Sequence, residues 1–145
     1  MSTDKFNSTQ ELGVTLLRIA LGVMFLAHAG LKVFTFGMDG TVQFFTSVGF
    51  PAWTAYAVVA AESMAGALLI LGLHTRWVSL AMLPVLLGAA SVHWGNGWVF
   101  NAPNGGWEYP AFLAVASVVQ ALLGDGAWAL RWKPAAPVGA QPRFQ

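Results

Sequence analysis

Residues 12–36 read LGVTLLRIALGVMFLAHAGLKVFTF. A helix needs about 20 apolar residues to cross a bilayer, and this stretch has the length and the composition. Three ionisable residues interrupt it: Arg18, His28 and Lys32. At about 100° per residue they fall within an arc of about 80°, and Gly22 and Phe25 share that face. An ionisable group turned to lipid costs several kcal/mol, so the face has to look into protein or a wet cavity. This helix needs partners inside the membrane, and the rest of the chain has to supply them.

The composition agrees. Hydrophobic residues make up 57% of the 145 and charged residues only 9%, with a mean hydropathy of +0.62. A soluble domain carries about a quarter charged residues. There is no cysteine, which excludes disulfides, thiol redox chemistry and cysteine-ligated iron–sulfur or zinc sites. The length suits one membrane domain over 1–145, and neither charge nor motif points to nucleic acid.

Four spans are predicted, over about 12–34, 52–73, 77–95 and 108–124, after a polar lead (1–11) expected to be disordered or interfacial. Ala27-His28-Ala29 looks like a signal-cleavage site, but the acidic lead and the apolar run past it favour an uncleaved span. Between the first two spans, Val42, Phe45 and Val48 mark a short interfacial helix. Glu62 is the single charge of the second span, with Ala55, Ala65 and Gly66 on its face to allow close packing. His74-Thr75-Arg76 is a tight turn. Pro84 is expected to kink the third span, whose titratable group is His93. The fourth starts near Trp107-Glu108-Tyr109-Pro110 and ends at Gly124-Asp125-Gly126, and a Pro-rich tail occupies 133–145. The expected fold is therefore an all-α integral membrane four-helix bundle, antiparallel and up-down-up-down.

Basic residues set the orientation. Lys5, Arg18, Arg76, Arg131, Lys133 and Arg143 belong to one side and Lys32 alone to the other. The positive-inside rule then puts both termini in the cytoplasm of a bacterial-type inner membrane. Trp53, Trp94, Trp98 and Trp107 belt the outer interface, and Trp77, Trp128 and Trp132 the inner one.

Counting about 1.5 Å per residue sorts the polar groups into two tiers. The deeper tier is Arg18, Glu62 and Gln120, read either as a buried Arg18–Glu62 ion pair that docks two helices or as a proton relay. His28, Lys32, His93, Glu108 and Tyr109 form the outer tier, a pocket opening outward. Two histidines at equal depth suit a quinol headgroup or a haem, with a structural hydrogen-bond network as the alternative. No metal-binding pattern is assigned, and the sequence lacks the common hydrolase and nucleotide-binding motifs.

Taken together, Leu17-Arg18-Ile19, the run Phe25 to Lys32, Gly49-Phe50-Pro51, the run Glu62 to Leu73, His93, Glu108-Tyr109-Pro110 and Gly124-Asp125-Gly126 resemble the DoxX family of small membrane proteins. The resemblance covers nearly all of 16–128, though Ala29-Gly30 stands where members often show a His-Gly pair. It implies membrane redox metabolism or oxidative-stress defence, in some relatives alongside a quinone-linked enzyme. Three functions stay open. The first is a quinone-linked oxidoreductase component; the second is a non-catalytic anchor for a membrane or soluble redox partner; the third is a small-solute or proton carrier, which would need a homo-oligomer.

Overall fold

The computed structural model describes residues 3–130, of which 3–8 are described as helix backbone alone. The expected tail at 133–145, with Arg131, Trp132, Lys133 and Arg143, lies outside the described residues, as does the side chain of Lys5. Among the described residues the chain is all helical: α1 Thr3–Gly30, α2 Gly37–Ser47, α3 Trp53–Leu71, α4 Thr75–Ala81, α5 Leu83–His93 and α6 Glu108–Leu123. A π-helical turn, Leu31–Thr35, extends α1, and a short 3-10 turn, Trp94–Asn96, extends α5. The α1 rod, α3 and the α4–α5 rod are each long and apolar enough to cross a membrane, and α6 is a shorter apolar helix.

Two boundaries differ from the sequence reading. Helix α1 starts at Thr3, inside the lead expected to be disordered or interfacial. Once a packed apolar stretch has nucleated a helix, each further residue adds a hydrogen bond, so the helix runs on into polar sequence. The third span is two helices, broken at Met82, with Pro84 in the first turn of α5. Proline has no N–H to offer the carbonyl four residues back, so the break falls where the sequence places a kink.

Helices α1 and α3 approach until their backbones touch. A Cβ on Gly22 would sit 2.9 Å from the Gly66 carbonyl oxygen, and one on Gly66 would sit 2.7 Å from that of Gly22. Gly22 faces Gly66 and Ile70, while Leu26 faces Gly66, so the two helices run in opposite directions. Small residues allow this approach, and in lipid it is van der Waals contact that holds such helices together. The other helices pack α6 against α4, α5 and α1. Leu21, Phe25, Leu69, Met82, Leu86 and Leu113 fill the centre. This apolar centre separates two polar regions, one at the end that carries Lys32 and one at the end that carries Arg76.

Candidate functional site

At the Lys32 end, the Lys32 ammonium donates to both Glu62 oxygens at 2.8 Å. The lysine side chain is 18% exposed and the glutamate 7%. Lys32 lies in the π-helical turn, whose widened ladder frees its carbonyl to accept from the Thr41 hydroxyl at 2.9 Å. That bond fastens α2 beneath α1.

The predicted Arg18–Glu62 pair is not formed. Helix side chains lean toward their own N-terminus. With Gly22 against Gly66, the next turn of α1 puts Leu26 level with Glu62. Lys32 therefore leans back toward Glu62, and Arg18 leans away from it. Arg18 instead lies over the C-terminus of α3. Its Nη1 donates to the carbonyls of Leu69 (3.0 Å) and Ile70 (3.2 Å), and its Nη2 to Ala127 (3.1 Å). These carbonyls belong to the last turn, the end where the helix dipole favours a cation, and that of Leu69 also accepts from the Gly72 N–H at 3.1 Å. Gly72 closes α3 in the left-handed conformation, and a Cβ there would collide with Arg18 Nη1. With 1% exposure, Arg18 is a buried cap supplied by a neighbouring helix.

His28 bonds through Nδ1 to the Met24 carbonyl at 2.7 Å. A carbonyl only accepts, so Nδ1 carries the proton, and Nε2 of the neutral ring is the basic nitrogen. The ring stacks on Tyr109, with centroids 5.5 Å apart and planes at 22°. Tyr109 Oη is buried without a protein partner. Tyr109 also borders an open apolar groove of about 560 Å³, with Trp98, Phe100, Trp107, Glu108 and Phe112 along its walls.

The rest of the expected outer tier belongs to the loop after α5. His93 Nδ1 donates to the Asn104 carbonyl at 3.0 Å, while Asn96 donates to Asn104 and Gly105. Glu108 accepts from the Phe100 amide at 2.8 Å. Trp107 stacks on Trp94 and meets Trp98 edge-on. His28 and His93 thus sit in separate hydrogen-bond networks. No group of three or more His, Cys, Asp or Glu could hold a metal among those residues.

At the Arg76 end, Gln120 Nε2 donates to the Gly124 carbonyl at 2.7 Å, while its Oε1 is buried without a partner. Thr75, Ser79 and Ser117 hydroxyls and Arg18 Nε share that condition. Each such group costs about 1–3 kcal/mol if nothing satisfies it. The sequence reading singled out Gln120 and missed the three hydroxyls. Their signal was the spacing, Thr75 to Ser79 and Ser117 to Gln120, which puts each pair on one face of an apolar helix.

The DoxX family model matches residues 13–94. The chain is 38% identical over 120 residues to a Bacillus subtilis (strain 168) protein named "Putative oxidoreductase CatD", across 82% of this chain and 84% of that protein. No solved structure gives a significant match.

Proposed function

The chain belongs to the DoxX family, and on that premise we propose that it is a quinone-linked component of membrane redox metabolism, with its ligand site at the Lys32 end. In this reading α1, α3, the α4–α5 rod and α6 cross a bacterial inner membrane as an antiparallel four-helix bundle. Helix α2 lies along the interface, both termini are cytoplasmic, and the Lys32 end faces outward. Reporter fusions after residue 75 should read cytoplasmic, and fusions near Asp39 and Asn104 external. The reverse result would overturn the orientation.

The observation that carries the reading is Tyr109, whose buried hydroxyl has no protein partner while its ring joins His28 to the aromatic groove. A quinone has the matching chemistry: a flat ring for the aromatic wall, a carbonyl to accept from Tyr109, and an apolar tail to run past Phe112 toward lipid. Oxidation of the quinol releases two electrons and two protons. His28 Nε2 takes the first proton and water at the open side the second, while the electrons pass to a redox partner protein. The oxidoreductase name of the Bacillus relative supports this class of chemistry.

The test compares detergent-stable yield with quinone retention. Tyr109→Phe and His28→Ala should leave yield near that of the unaltered protein and weaken quinone retention about five- to tenfold, the worth of one hydrogen bond. Trp53→Leu serves as an interface control. Parallel loss of yield and retention would overturn the site. It would favour a second reading, a non-catalytic anchor for a partner enzyme, which draws support from the engagement of Arg18, Lys32 and Glu62 in packing.

A further inference from the structure

We infer that the Arg76 end is a water inlet, leading from an open polar basin to Ser79 and Ser117 and closed there by the apolar centre. It stands apart from the quinone site and does not depend on it.

The basin holds about 1010 Å³ and is bordered by Gln10, Glu11, Gly13, Arg76, Gly124 and Asp125. Gly124 is its threshold, because the carbonyl there accepts from Gln120 just inside. Beyond it, α4 packs against α6. On α4, Thr75 stands beside the basin residue Arg76, and Ser79 lies one turn further in. On α6, Ser117 lies nearly one turn beyond Gln120. All four side chains are fully buried.

Other helix hydroxyls among the described residues bond a carbonyl of their own helix in several cases. Ser63 donates to the Val59 carbonyl at 2.8 Å, Ser91 to Gly88 at 2.7 Å, and Thr46 to Val42 at 3.0 Å. Thr75, Ser79 and Ser117 make no such bond. The seam therefore presents three hydroxyls and an amide oxygen to whatever enters it. An occupant has to donate and accept at once. Water does both, and a buried water makes about three hydrogen bonds, so on the order of two would serve these atoms. The guanidinium Nη groups are already taken by carbonyls, so no free cationic pair is left to hold an anion. Gly124 to Ser117 spans roughly 10 Å of helix, about a third of a 30 Å hydrocarbon layer. Further in, Met82, Leu21, Leu86 and Leu113 close the way.

The natural absence of cysteine makes a direct test available. A thiol reacts as the thiolate, which forms in water and is suppressed in apolar surroundings. Ser79→Cys and Ser117→Cys would be exposed to silver ion in the full-length protein, and blocking read by later maleimide labelling in denaturant. Gly13→Cys marks the basin, where a Cβ meets nothing within 4 Å, and Leu21→Cys marks the apolar centre. The inlet requires both seam cysteines to be blocked more than about tenfold faster than Leu21→Cys. A smaller difference overturns it. If a seam variant does not fold, water-edited solid-state NMR of the unaltered protein in bilayers decides instead. Transfer from water to Thr75, Ser79 and Ser117 should outpace transfer to Leu21 and Leu86, and equal rates would refute the inlet.

Discussion

Each end of the protein holds a cation against α3, and the two ends use different partners. Lys32 meets a carboxylate on the neighbouring helix, whereas Arg18 meets the carbonyls that finish that same helix. The difference decides what can replace each arrangement. A buried ion pair exchanged as a unit for apolar residues of similar volume is often neutral, because both charges leave together. A cap cannot be exchanged that way. Deleting Arg18 leaves the Leu69 and Ile70 carbonyls in place, and no second substitution removes a backbone carbonyl.

The sharpest way to break this contrast is Arg18→Leu. It should cost about 3–5 kcal/mol, seen as a large fall in the thermal midpoint of the detergent-purified protein. Adding Glu62→Leu should not rescue it, and the two losses should add within about 0.5 kcal/mol, since the residues share no partner. Recovery in the double variant would restore the Arg18–Glu62 pair.

Next comes Glu62→Leu alone, which strands a partly exposed lysine and should cost about 2 kcal/mol, below the value for a deeply buried pair. Here Lys32→Met in the same chain should return most of the loss. Failure to recover would mean that Glu62 has a task besides holding Lys32.

A further test is Gly66→Ala, midway between the two ends. The new methyl meets Leu26 Cγ at 2.6 Å and the Gly22 carbonyl oxygen at 2.7 Å, and should cost about 1–3 kcal/mol. A neutral result would show that the two helices can separate without disturbing either cation.

Much of this was legible in the sequence because it rests on period and composition. The apolar runs gave the helices, Pro84 the break, and Gly22 with Gly66 the faces that touch. Lys32, Glu62 and Arg18 were each singled out, but their pairing was misread. Axial depth alone brought Arg18 near Glu62, and the lean of helix side chains reversed the choice. The carbonyls that hold Arg18 carry no residue letter, so no pattern of charges could have pointed to them. His93 and Glu108 were singled out, yet their partners are loop backbone atoms of Asn104 and Phe100, which periodicity does not locate. Serine and threonine in a helix have two outlets, their own carbonyls or a neighbour, and sequence does not tell which is taken.

The cap on α3 also imposes an order in time. Arg18 is synthesised 51 residues ahead of Leu69, whose carbonyl it will bind. At about 5–20 residues per second, that is roughly 3–10 s during which α1 exists and its acceptor does not. In a bilayer, a long cationic side chain without such acceptors extends toward the headgroups. The arrival of α3 brings a descending helix end whose last carbonyls draw the guanidinium inward. The first helix of this protein is thus inserted early and finished late, and the step that completes it is the delivery of another helix's terminus.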